Sequence, residues 1–86
     1  MKLGLYSIKD TLVGYTTPFC QFSDAVAIRG FATAAQDTTK NNVNTNPGDK
    51  ELYLLGSFDD VSGEVIPLTS PKYLARATDF IKRVEQ

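Results

Sequence analysis

Residues 51–69 read ELYLLGSFDDVSGEVIPLT, two stretches of strand-forming residues parted by the short interval Asp59–Gly63. Gly63 is free to take positive φ and aspartates bond their own backbone in turns, so this stretch is expected to form a hairpin between strands 51–59 and 64–69. A metal reading of Asp59 and Asp60 would need further oxygen ligands at regular spacing, which Val61, Ser62 and Gly63 do not supply. The N-terminus repeats the plan. LGLYSIKD (3–10) and LVGYTTPFCQ (12–21) flank the polar Lys9-Asp10-Thr11, and Pro18, which lacks an N–H, marks where the second strand should end.

Each hairpin is followed by helix signals. Ser23 is a good N-cap, Asp24 suits the positive end of the helix dipole, and Ala27, Ile28, Phe31, Ala34 and Ala35 form one apolar stripe ending near Gln36. Gly30 costs that helix about 1 kcal/mol relative to Ala, while allowing a neighbouring backbone to come close. Ser70-Pro71 resembles a cap followed by proline at the first helical position, with Leu74, Ala77, Ile81 and Val84 as the buried side of a terminal helix. Between the two units, DTTKNNVNTNPGDK (37–50) reads as a long loop ending in a type II turn at Asn46-Pro47-Gly48-Asp49. The expected fold is α+β, in the order ββαββα: a four-stranded, largely antiparallel sheet with two helices packed on one face, as a single domain over residues 1–86.

At 86 residues, such a domain buries only about 63% of its extended-chain surface, so its core is thin and self-association would help it. Nine Lys and Arg against ten Asp and Glu give a net charge of −1, which excludes a global positive field; any contact with a polyanion must come from a local patch. Cys20 is the only cysteine, so no intramolecular disulfide can form. Its expected role is that of a small buried hydrophobe. No apolar run approaches the roughly 20 residues of a membrane span, so no membrane partner is expected and the natural compartment is intracellular.

Strand periodicity gives a further expectation. If Leu3, Leu5, Leu52, Leu54 and Phe58 face the helices, then Tyr6, Ile8, Val13, Tyr15, Tyr53 and Leu55 point the other way. A sheet apolar on that second face needs a cover, and a second copy forming a homodimer is the preferred one over a ligand. Tyrosines displayed on a sheet can also stack on unpaired bases, and Tyr15 is the candidate for that role.

Catalysis has little to draw on. The chain has no histidine, which removes Ser-His and Cys-His nucleophile systems and imidazole metal sites, and it has no phosphate-binding glycine loop. No enzyme activity, cofactor or metal is expected. Candidate phosphate contacts are Arg29, in an Ala-rich helix, Lys40 in the long loop, and Lys72, Arg76, Lys82 and Arg83 near the C-terminus. Helical spacing would put Lys72, Arg76 and Arg83 on one side. Asp79 would then stand within reach of Arg76 and Arg83, making ion pairs on a solvated face the plainer alternative.

The segments YSIKD (6–10), PF (18–19), AIRGF (27–31), NPGD (46–49), LGSFDDVSGEV (55–65) and ARATDF (75–80) together resemble the small nonstructural protein of gokushoviruses, tailless bacteriophages with circular single-stranded DNA genomes. The resemblance implies a nonstructural phage protein, often labelled DNA-binding, that acts when viral replication shifts to single-stranded progeny DNA. It would work in the host bacterial cytoplasm and not in the virion. Two functions follow as expectations: a homodimeric module for single-stranded DNA, or a non-enzymatic interaction module that binds a phage or host replication protein without touching DNA.

Overall fold

A computed structural model describes residues 1–81. Five strands, β1 (Lys2–Asp10), β2 (Gly14–Tyr15), β3 (Phe19–Gln21), β4 (Lys50–Asp59) and β5 (Val65–Arg76), form one antiparallel sheet, and one helix, α1 (Asp24–Gln36), lies between β3 and β4 in sequence. Pro47–Asp49 and Ala77–Asp79 are short 3-10 turns. The strand order is β2-β1-β4-β5, and β3 pairs with the same edge of β1 as β2 does, further along. The interruption between β2 and β3 falls at Thr16-Thr17-Pro18, so the proline ends one pairing and the strand resumes after it.

α1 forms where cap and stripe place it. The Ser23 hydroxyl accepts from the Val26 amide at 3.2 Å, and Ala27, Phe31 and Ala35 are the buried residues. They pack with Tyr6, Ile8, Val43, Leu52, Ala75 and Ala77 into one core. The 37–46 loop is held by its asparagines rather than left open: Asn41 Oδ1 accepts from the Val43 and Asn44 amides at 2.8 and 2.9 Å, while its Nδ2 donates to the Ala34 carbonyl. That scaffold delivers Val43, the loop's one aliphatic residue, into the core at 2% exposure. The NPGD turn closes by an Asp49 amide to Asn46 carbonyl bond of 2.9 Å, with the positive φ at Asn46 and not at Gly48, so it is a 3-10 turn rather than type II.

The expected second helix is absent among the described residues, and with it the two-helix, four-strand arrangement. Lys72–Arg76 instead continue β5, pairing with Leu54–Glu51. Ser70-Pro71 carries the local signature of a helix start, but β5 is an edge strand, where a residue without an N–H is tolerated, and ladder pairing outweighs the local preference. Only Ala77–Asp79 turn helically, with Asp79 accepting from the Arg76 amide at 3.0 Å. Val84 and the rest of the expected helix after Ile81 lie outside the described residues.

The β4–β5 hairpin closes as its residues dictate. Asp59 Oδ1 accepts from the Val61 and Ser62 amides at 2.9 and 3.2 Å, Gly63 takes φ +78°, and those two amides hold the Asp59 carboxyl below the usual carboxylate range. Asp60 receives the N-terminal ammonium at 2.8 Å. β4 and β5 slip once between Leu52 and Tyr53, where Leu74 of β5 is unmatched, and two further register irregularities divide the sheet in two: one lies between Leu5 and Tyr6 of β1, opposite Leu55, and another spans Leu54 to Gly56 against β5. Beyond them the hairpin and β1 run on past the helix, giving a molecule of 52 × 23 × 18 Å. On this distal arm Val65, Ile66 and Leu68 stay exposed.

Candidate functional site

The face of the sheet away from α1 carries an aromatic row. Leu52 is buried in the core, so the alternation of β4 turns Tyr53 to the opposite side, and the register shift between Leu52 and Tyr53, where Leu74 of β5 is unmatched, brings Tyr73 to that side as its partner although Ala75 is buried; Lys9 and Tyr15, paired across β1 and β2, lie there too because Ile8 points inward. Tyr53 stands at the centre. Its ring centroid is 5.6 Å from that of Tyr15 and 5.8 Å from that of Tyr73, both edge-on, a geometry that favours the pair beyond simple burial. The row thus crosses the sheet from β2 to β5. Tyr15 and Tyr73 are each 45% exposed, leaving ring surface available at both ends.

Charge is arranged around the row. Lys9 Nζ lies 5.4 Å from the Tyr15 centroid and 5.6 Å from that of Tyr53, within the range of a cation–π contact with both. Arg76 donates to Glu51 at 2.8 Å, and the Tyr53 hydroxyl donates to the same carboxylate at 3.0 Å. The Arg76 hydrogen bond holds the Glu51 carboxyl below its usual range, burial opposing it and Tyr53 assisting. Burial, aided by Glu51, pushes the Tyr53 phenol up, and burial with Asp79 nearby does the same for Tyr73. Both phenols therefore stay neutral at physiological pH. Beneath them Ser7, the cross-strand partner of Tyr53, is fully buried and donates to the Thr16 carbonyl at 2.7 Å, tying β1 to the segment after β2.

The structure redistributes the residues that the sequence singled out. Tyr15 and Tyr53 are on the open face. Tyr6 and Ile8 are not: at 1% and 9% exposure they lie under α1, where the Tyr6 hydroxyl donates to Asp24 at 2.8 Å. Burial, with that bond, raises the Tyr6 phenol's pKa well beyond the ordinary tyrosine range. Leu3 and Leu5 consequently point away from the helix, the reverse of the expected phase, and the slip at Leu55 carries Phe58 with them. Val13 sits in the β1–β2 turn at 87% exposure, and Leu55 is half-buried at the slip.

Of the basic residues, Arg76 flanks the tyrosine row, whereas Lys72 lies on the helix side, 3.6 Å from Asp24. The two do not share a helical face. Arg29 on α1 and Lys40 in the loop are exposed on the helix side, Cys20 is exposed rather than buried, and Lys82 and Arg83 lie outside the described residues. Lys9 and Tyr73 escaped the sequence reading, because one was assigned to a turn and the other to a helix. The length of β4 was the available signal: a hairpin arm reaching from Asp59 back to Lys50 needs a partner long enough to include Tyr73.

No helix among the described residues is long and apolar enough to cross a membrane. No curated protein and no solved structure gives a significant match to the chain. A family model does, the one described as Phage ORF5 protein, over residues 3–80, a span that takes in the sheet, α1 and every member of the tyrosine row. The chain therefore belongs to the phage ORF5 protein family.

Proposed function

We propose that this phage protein is a non-enzymatic, homodimeric module that binds single-stranded DNA, of the gokushovirus kind, acting in viral genome replication or its switch to single-stranded progeny. The observation that carries the reading is the row Tyr15–Tyr53–Tyr73 with Lys9 set against it. Base stacking on aromatic rings contributes about 1–3 kcal/mol per base and reads little sequence, which compensates for a chain of net charge −1. Few phosphates are neutralised, so affinity falls only gently with salt. The exposed apolar residues Val65, Ile66 and Leu68 of the distal arm support pairing of two copies, which would join two tyrosine rows.

The test is titration of a labelled single-stranded oligonucleotide at several salt concentrations. Replacing Tyr53 or Tyr73 by Ala should each weaken binding about 5- to 150-fold, and Lys9→Ala should reduce the salt slope by about one unit. Affinity untouched by all three substitutions would refute the platform. The same apolar arm favours a second reading, docking of a phage or host replication protein with no DNA contact. Nuclease-resistant recovery of one replication protein, abolished by Ile66→Asp and not by Tyr53→Ala, would select it.

A further inference from the structure

The open face of the sheet carries a second surface, on the distal arm. Leu3 and Leu5 of β1 point away from α1, and the ladders set Phe58 and then Val65 beside Leu3, and Cys20, Gly56 and Pro67 beside Leu5. Residues directly opposite each other in an antiparallel ladder share a face, so Leu3, Leu5, Cys20, Phe58, Val65 and Pro67 form one apolar patch across four strands. Cys20, Val65 and Pro67 are exposed and the other three half-buried. No charged residue stands among them, because Lys2 and Asp59, the neighbouring pair, alternate to the side of α1. Charge gathers at the hairpin tip instead, where Asp60 and Glu64 are exposed beside Asp59 and the N-terminal ammonium bonds to Asp60.

We infer that this patch is the surface through which two copies of the chain pair, face to face and with their strands antiparallel, so that the distal arms overlap and one tyrosine row lies at each end of the dimer. The inference rests on the homodimer in the function proposed above and assigns its interface. Both edges of the sheet are closed to an added strand. On β5, Pro67 and Pro71 lack donors and residues 68–71 stand opposite Leu55 alone, while the other edge is broken at Thr16-Thr17-Pro18. Pairing therefore uses the face, as two sheets do in a sandwich. At a two-fold axis each residue lies close to its own copy, an arrangement that a charged side chain opposes and this uncharged patch permits. The acidic tip sets the direction: parallel strands would lay tip upon tip, whereas antiparallel ones carry the two tips to opposite ends. Four strands about 4.8 Å apart, over about half of the 52 Å length, present roughly 500 Å² per copy. The roughly 1,000 Å² covered by a pair is the lower limit of a specific interface, so the dimer dissociates on the order of micromolar concentrations. Cys20, exposed in the single chain although its residue type is among the most often buried, becomes covered in the pair.

The experiment is sedimentation equilibrium of the whole chain across the micromolar range, with oligonucleotide titration of the same samples. Val65→Asp and Cys20→Glu, exposed positions on opposite sides of the patch, should each weaken self-association about tenfold or more, whereas Val13→Asp, an exposed apolar residue at the other end of the molecule, should not. Reaction of Cys20 with a thiol reagent should slow as the native protein is concentrated through the dimer range, and should not slow in Val65→Asp. Small-angle X-ray scattering should give a dimer roughly 80 Å long, two 52 Å copies sharing half their length. A chain that stays monomeric, self-association indifferent to both patch substitutions, or a thiol that reacts equally fast at every concentration overturns the interface; a dimer no longer than one protomer overturns the antiparallel arrangement. If a monomer still binds the oligonucleotide in a Tyr53-dependent way, only the pairing fails. If the pair forms as described and no nucleic acid binds, the interface stands and the DNA reading fails.

Discussion

Arg76 and Glu51 stand directly opposite each other on β5 and β4 and are joined by a 2.8 Å hydrogen bond, the one charged link between the edge strand and its neighbour on the tyrosine face. Glu51 also accepts from Tyr53, so the pair fixes the central ring of the row. Because Arg76 holds the folded-state pKa of Glu51 below the unfolded value, the stability it supplies is complete above the ordinary glutamate range, near 4.5, and is lost as pH falls through the depressed folded value. Acid unfolding followed by circular dichroism should therefore show a limb below that range that Glu51→Gln flattens.

Gly4 and Tyr6 share the helix side of β1, and a Cβ on Gly4 would land inside the Tyr6 ring. The ring cannot retreat, being packed 6.0 Å from Phe19 and bonded to Asp24. Gly4→Ala should cost about 1–3 kcal/mol as overpacking. Gly48→Ala, where a Cβ meets nothing within 4 Å and φ is not positive, should be neutral or slightly stabilising. Urea unfolding of the two variants side by side provides the comparison.

Tyr6→Phe removes the bond to Asp24 while keeping the ring, so a loss of about 1 kcal/mol is expected. In spectrophotometric titration of the native protein, Tyr6, Tyr53 and Tyr73 should ionise above the ordinary phenol range, and Tyr6→Phe should remove the latest of these steps. For all three, folding favours the neutral form; that stability is present below the unfolded pKa and disappears as pH rises through the folded one.

Asp59 acts through its Oδ1, which an asparagine retains. Asp59→Asn, which keeps the acceptor but loses the charge that the Val61 and Ser62 amides favour, should lower the thermal midpoint slightly, whereas Asp59→Ala, which releases both amides, should lower it further.

α1 was legible to the residue because Ser23 and the Ala27–Phe31–Ala35 stripe are local signals, and the β4–β5 turn was legible for the same reason. What failed was non-local. Ser70-Pro71 carries a helix start in its own chemistry, and only the presence of β4 alongside makes Lys72–Arg76 a strand. The face assignment failed in two ways: β1 runs in the opposite phase along its length, with Tyr6 and Ile8 inward and Leu3 and Leu5 outward, and the unmatched Leu55 of β4 turns Phe58 away from the helix. Tyr15 and Tyr53 were found on the open face, but of the residues that complete the row Tyr73 depends on the pairing of β5 with β4 and Lys9 on the phase of β1.

β1 occupies the interior of the sheet, yet its long partner β4 comes from the second half of the sequence. A chain emerging from the ribosome can form α1 early, but its first strand must wait, half-paired, until residues 50–59 arrive, and loop-closure entropy opposes that late docking. Folding of this small protein should therefore be paced by assembly of its central ladder and not by its helix.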